Sequence, residues 1–199
     1  MFGHGNCKRM RGEIVDTIKQ YWRHFLNGDD EAFKRLYDHY IDTLFGWGCR
    51  YCRDEETIKD CIQELFVDLY TYRKRLCAET DIDAYLFVSF RRKLAKQLKR
   101  SRDLQTVNEN FAVEQLVEQL IEEDVEQETI REEESRRLMA ALKKEVVELP
   151  SRQQEVLFLR YTSELSYDSV SKIMKIPIPT CRTLLSRALR QLRKRMKPA

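Results

Sequence analysis

Apolar residues recur three and four positions apart through most of this chain, which is the spacing of helices with one buried face. Phe33, Leu36, Tyr37, Tyr40, Leu44 and Trp47 form the first clear stripe, and Gly28-Asp29-Asp30 ahead of it supplies a break and an N-terminal cap. Arg53-Asp54-Glu55 breaks the pattern again. Ile58, Ile62, Leu65, Phe66 and Leu69 then form a second stripe, with Asp60, Gln63, Glu64 and Asp68 off it. Residues 74–83 lack periodicity and read as a loop, after which Asp83 is placed to cap a helix that is aromatic at its start and basic at its end. In the stretch 103–135, Val113, Leu116, Val117, Leu120 and Ile121 allow a short amphipathic helix, with a solvated tether as the alternative. Helical spacing resumes near Glu128 and runs through Leu138, Leu142, Val146 and Leu149 until Pro150 stops it.

The last fifty residues predict three short helices. Ser166 precedes a helix with Val170, Ile173 and Met174 inward, and its hydroxyl can accept from the N–H groups of the first turn. Pro177 prevents that helix from continuing, while Pro179 suits the first turn of the next. There Cys181, Leu184, Leu185, Ala188 and Leu192 keep the apolar rhythm, and Arg182, Ser186, Arg190 and Arg193 fall on the opposite face. Two helices joined by a tight turn, the second basic on its outer face, predict a helix-turn-helix and hence duplex DNA as a partner. A basic amphipathic helix on a membrane or partner surface is the other reading of that face.

Composition supports an all-α chain: 42% of the 199 residues are hydrophobic, and Gly and Pro number only six and four. The net charge of +3 conceals an asymmetry. Residues 1–102 carry +4, residues 103–135 carry 12 acidic side chains against one Arg, and residues 136–199 carry +10. Two basic blocks around an acidic connector predict two modules that bind polyanions. The connector is either a plain tether or a segment that lies on the cationic faces and restrains the free protein from binding DNA. No apolar run is long enough to span a membrane, and the N-terminus lacks the apolar stretch of a secretory signal, with Met10 an alternative start. These features predict a cytoplasmic protein with reduced thiols.

The motifs now gather. The C-terminal half of the chain supplies Leu149, Pro150, Arg152, Glu155, Val156, Leu159 and Arg160, then Ser166 and Tyr167, then Thr180, Arg182, Leu185, Arg187 and Ala188. This series resembles the promoter-reading domain of bacterial RNA polymerase sigma factors, above all the small extracytoplasmic-function (ECF) subfamily. It departs from the family at Ser169 for the usual Glu, Ser171 for the usual Ala, and Lys175 where the turn often has Gly. The N-terminal half resembles the same family in three places. Gly28, Asp29, Ala32, Phe33, Leu36, Tyr37 and Tyr40 match the opening of its first conserved domain. Asp60, Gln63, Glu64 and Phe66 match the helix that docks on the polymerase clamp, while Ile58 and Lys59 depart from it. Ala84-Tyr85-Leu86-Phe87 and the basic run behind it match the helix that holds the non-template strand of the downstream promoter element. Many members have Asn where Arg92 stands.

The resemblance implies two small helical domains joined by an acidic linker, the C-terminal one a helix-turn-helix: an extension over 1–24, a first domain over 25–102, the linker over 103–135 and the second domain over 136–199. It implies a sigma factor with core RNA polymerase, promoter DNA and an anti-sigma factor as partners. Polymerase docking falls to Asp60, Gln63, Glu64 and Phe66. Single-strand binding falls to Tyr85, Arg91, Arg92, Lys93, Lys96, Lys99 and Arg100, a ring beside a cationic track. For Leu86, Phe87 and Phe90 a core position is expected instead. Upstream-element binding falls to Thr180, Arg182, Thr183, Ser186, Arg187 and Arg190, with Arg182 as base reader and Arg187 and Arg190 on phosphates. The alternative is a helix-turn-helix regulator that binds duplex DNA without polymerase. No phosphate-binding Gly loop, Ser-His-Asp set or HExxH is present, so no enzyme, cofactor or metal is expected. Cys49-Arg-Tyr-Cys52 has half the spacing of a zinc or redox site, but no second pair follows and His4, His24 and His39 form no cluster.

Overall fold

The structure, a computed structural model, describes residues 16–100 and 140–196, and among them it is helical without a strand. Helix α1 covers 16–26. At Gly28 the backbone adopts φ +102°, a conformation that costs a glycine little. Asp29 then caps α2 (Asp30–Gly48), its Oδ1 accepting from the Ala32 N–H at 3.1 Å. Asp54 caps α3 (Glu55–Thr71) by accepting from the Glu56 N–H and the Thr57 hydroxyl. A 3-10 turn (Arg73–Arg75) leads towards α4 (Ile82–Arg100). The α4 cap differs from the sequence expectation. Asp81 accepts from the Ala84 N–H at 3.1 Å, whereas Asp83 lies already within the helix and accepts from the Tyr40 hydroxyl at 2.6 Å.

The four helices bury Leu36, Leu44, Trp47, Ile58, Ile62, Leu65, Leu69, Leu86, Phe87 and Phe90 among them. Trp22 and Phe25 belong to the same core, and the Trp22 indole donates to the Cys77 carbonyl at 3.0 Å. Helix α1 runs across the expected boundary at residue 24, and its apolar face packs on this module. Gly48 sits where the packing is closest. A Cβ there would lie 2.8 Å from Ile58 Cγ2 and 2.9 Å from Phe90 Cζ.

In the second module helical residues run over 140–147 (α5). Pro150 leads into α6 (Ser151–Leu157), which continues as a π-helical turn (Phe158–Thr162). Ser166 caps α7 (Tyr167–Met174) with its hydroxyl on the Ser169 N–H at 3.0 Å, and α8 (Ile178–Arg195) carries Pro179 in its first turn. Lys175 closes α7 at φ +54°, ψ +46°, the left-handed position that the family's Gly would take without strain. Leu149, Ala188 and Leu192 form a small cluster with Leu142 and Val146 that seats α5 on α8. Val156, Leu159, Val170, Ile173 and Met174 join the apolar cluster of the first module, so one core runs through both. The acidic linker and residues 1–15 lie outside the described residues.

Two substitutions check this packing in opposite directions. Gly48→Ala should lower the stability of the folded chain by about 1–3 kcal/mol, because Ile58 and the Phe90 ring must shift. Lys175→Gly should raise it by roughly 1 kcal/mol through relief of the left-handed strain. Denaturant midpoints at constant slope read both.

Candidate polymerase and nucleic-acid interfaces

Helix α8 sorts its residues cleanly. Cys181, Leu185, Ala188 and Leu192 are buried, and Leu184 is half-buried. Thr180, Arg182, Thr183, Ser186, Arg187 and Arg190 are all exposed. The Thr183 hydroxyl donates to the Pro179 carbonyl at 2.9 Å, a local bond that a ligand would have to share. Arg195 pairs with Glu145 on α5 at 3.2 Å. Among the described residues no carboxylate pairs with Arg182, Arg187 or Arg190, so their charge is free to meet a polyanion.

Helix α3 presents Asp60, Gln63 and Glu64 outward on one face. Val67 extends the same face by one turn and is 64% exposed, an apolar side chain in the open beside polar ones. The sequence reading missed it, although the i, i+3, i+4, i+7 spacing held the signal. Phe66 does not belong to that face. It is buried, edge-on to Tyr37 at 4.8 Å and to Phe33 at 6.0 Å, because its position falls on the apolar stripe.

The basic run of α4 divides in two. Arg92, Lys96, Lys99 and Arg100 are exposed, and Tyr85 is half-buried. Lys93 is engaged with Asp68 at 2.6 Å and Glu64 at 3.5 Å, which ties α4 to α3. Leu86, Phe87 and Phe90 are buried, as the sequence led us to expect. Exposed rings lie elsewhere, at Tyr161 in the second module and at Tyr70 and Tyr72 in the first. Arg73 stands 5.3 Å from the Tyr70 ring and Arg75 5.3 Å from the Tyr72 ring. These paired rings and cations at the end of α3 were missed because the segment lacks periodicity, and a reading of Tyr beside Arg could have found them.

Arg91 is used differently again. Its guanidinium donates to the Ile173 carbonyl at the end of α7, stands 3.7 Å from a Glu155 carboxylate oxygen and lies 5.8 Å from the Trp47 ring. The Tyr51 hydroxyl donates to the same Glu155 at 3.1 Å. On the other side of the seam Lys172 pairs with Asp81 at 2.7 Å, and the Ser169 hydroxyl donates to Asp81 at 3.2 Å. The Asp81 bond holds the Lys172 ammonium above its ordinary pKa. A cavity of about 600 Å³ opens between the modules, with Trp22, Tyr40, Asp83, Leu165 and Ser169 in its wall. Burial there pushes the Asp83 carboxyl and the Tyr40 phenol up.

Four of the thiols among the described residues, Cys49, Cys52, Cys61 and Cys181, are buried rather than poised. Cys49 follows the end of α2, and burial pushes it up to about 12, while Cys61 is pushed up to about 11. Burial also raises Cys52 and Cys181. Among the described residues no three His, Cys, Asp or Glu side chains converge as metal ligands, so Cys49 and Cys52 find no third partner.

The fold and its exposed faces define a two-module helical protein with a helix-turn-helix at its C-terminal end. Known proteins give that class a family. Residues 36–103 match sigma-70 region 2, and residues 139–192 match sigma-70 region 4. The chain is 24% identical over 181 residues to the ECF RNA polymerase sigma factor SigW of Bacillus subtilis (strain 168), covering 90% of this chain and 97% of that protein. Two solved structures share the fold. CnrH in complex with the cytosolic domain of CnrY gives a TM-score of 0.54 at 15% identity, over 88% of this chain and 94% of that one. The sigma factor RpoE in complex with the anti-sigma factor NepR from Bartonella quintana gives 0.51 at 18% identity, over 82% and 96%. The chain belongs to the sigma-70 family and is an ECF sigma factor, which directs RNA polymerase to promoters.

The thiolate is the reactive form of cysteine, so the raised thiols should resist modification. In the folded protein at pH 8, a maleimide should react at exposed Cys77 while Cys49, Cys52, Cys61 and Cys181 remain unmodified until denaturant is added. Mass mapping of the labelled peptides reads the outcome, and rapid native labelling at Cys49 would contradict the burial.

Proposed function

We propose that the face of α3 bearing Asp60, Gln63, Glu64 and Val67 docks on core RNA polymerase, while the outer face of α8 reads the upstream promoter element as duplex. The exposure of both faces on one chain is the observation that carries this reading. Arg182, near the start of α8, reads a base edge, and Arg187 and Arg190 anchor phosphates. Thr180, Thr183 and Ser186 supply hydroxyls along the same groove.

The melted downstream strand then meets Arg92, Lys96, Lys99 and Arg100 on α4, with Tyr85 beside them. Tyr70 and Tyr72 add rings on which unpaired bases can stack. Arg91 can join only after the seam between the modules has opened, since in the closed chain its donors are taken by Glu155 and Ile173. The protein acts by binding, not by catalysis, and works in the cytoplasm. Among the described residues no helix is long and apolar enough to cross a membrane. The similar sigma factor RpoE was solved with the anti-sigma factor NepR. A partner of that kind fits this chain too, since the resemblance covers most of its length.

The test is transcription from a genomic promoter library by core polymerase with and without the chain. Discrete new start sites should arise only with both present. Asp60→Ala combined with Gln63→Ala should remove those transcripts and the co-purification of polymerase while leaving the melting temperature unchanged, since both side chains are off the core. Full promoter binding by the chain alone would favour a stand-alone regulator instead.

A further inference from the structure

Tyr167 stands at the first position of α7 with its ring half-buried, and two guanidinium groups lie against that one ring. Arg160, in the middle of the π-helical turn, is 4.4 Å from the ring centroid, and Arg182, in the first turns of α8, is 5.2 Å from it. Both are within the range at which a cation is held by an aromatic face. Arg160 is itself fixed, because it donates to the Leu165 carbonyl just ahead of α7. Its buried Nε has no hydrogen-bond acceptor, so the ring is part of what compensates that charge.

Arg182 is in a different position. It is exposed, and among the described residues no carboxylate pairs with it, so the Tyr167 ring is what orients its guanidinium. A long free side chain loses rotamer freedom when it docks on a base, and a side chain already oriented loses less. Within α7 the cap is Ser166 and the buried residues are Ser169, Val170, Ile173 and Met174, while the half-buried Tyr167 ring rests on the margin of the apolar core with its remaining surface open to the two guanidinium groups. We propose that Tyr167 is a positioning residue for promoter recognition, which holds Arg182 in its base-reading pose before DNA arrives. This rests on the reading of Arg182 as a base reader.

The hydroxyl plays no part in this account and the ring all of it. Wild-type holoenzyme, formed with core polymerase, would select bound duplexes from a library randomised over the upstream element. The same selection would be run on Arg182→Ala, Tyr167→Leu, Tyr167→Phe and Tyr167→Trp. Arg182→Ala should relax the preference at one base pair. Tyr167→Leu should relax that same base pair by about two- to five-fold, the range of an exposed cation–ring contact, and leave the preference at the other positions unchanged. Tyr167→Phe and Tyr167→Trp should keep the preference. In the Arg182→Ala background, Tyr167→Leu should cause no further loss at that position.

A uniform loss across all sequences in Tyr167→Leu would assign the residue a merely structural or phosphate-binding role and overturn the proposal. So would a loss in Tyr167→Phe equal to that in Tyr167→Leu. If Tyr167→Leu does not fold, the Trp variant decides: a kept or sharpened preference supports positioning, and a relaxed one ends it. Should Arg182→Ala relax a preference that Tyr167→Leu leaves intact, positioning alone fails. Should Arg182→Ala change no preference, the base-reader assignment itself falls, and positioning with it.

Discussion

Arg91 stands where the two modules meet, and its guanidinium serves three surfaces at once. It satisfies a carbonyl in the last turn of α7, faces the Glu155 carboxylate on α6 and lies by the Trp47 ring of the first core. Each contact meets a need. The last carbonyls of a helix have no partner within it, and positive charge near that end is favourable. Arg152 approaches the adjacent Met174 carbonyl in the same way. Glu155 is buried, and a buried carboxylate is tolerated only with partners around it. Arg91, Arg152 and the Tyr51 hydroxyl are those partners.

The remaining seam contacts are weaker and more exposed. The Lys172–Asp81 pair, with its lysine more than half exposed, is of the kind that contributes under about 1 kcal/mol. Asp81 is nonetheless economical in its placement, because one carboxylate caps α4, accepts from Ser169 and pairs with Lys172. The family's usual Glu at position 169 would bring a second carboxylate to Asp81, where Ser brings a donor. The departure that weakened the local motif in the sequence thus has a use in the closed chain. Pairing across the seam and with α3 also explains why a run of like charge on α4 persists without DNA. Arg91 is paired with Glu155 and Lys93 with Glu64 and Asp68, so among the described residues of the run Arg92, Lys96, Lys99 and Arg100 stay open to solvent.

The helices were legible because their apolar stripes are long and their breaks ordinary: Asp29 and Ser166 cap where a cap was expected, and Asp54 caps α3 at the expected break. The outward residues of α8 were legible for the same reason, since a regular helix fixes both faces at once. What escaped was set by contacts distant in sequence. Asp83 reads as a cap until Tyr40, 43 residues earlier, claims it. Arg91 reads as one more cation of a track until a second module supplies Glu155. Trp22 reads as part of an extension until the core of the first module is seen to enclose it. Tyr167 was visible as a family match, but its hold on Arg182 depends on how α7 and α8 lie together.

The central claim is that the closed chain and the working chain differ at this seam. It is tested most directly by the distance between dyes genetically encoded at Lys34 on α2 and Gln191 on α8, both exposed and clear of the seam residues. The free chain should give one short distance. Addition of core polymerase and promoter DNA should convert it to a longer one, as the first module takes the polymerase and the second the upstream duplex. An unchanged distance in a holoenzyme that starts transcription would contradict the account.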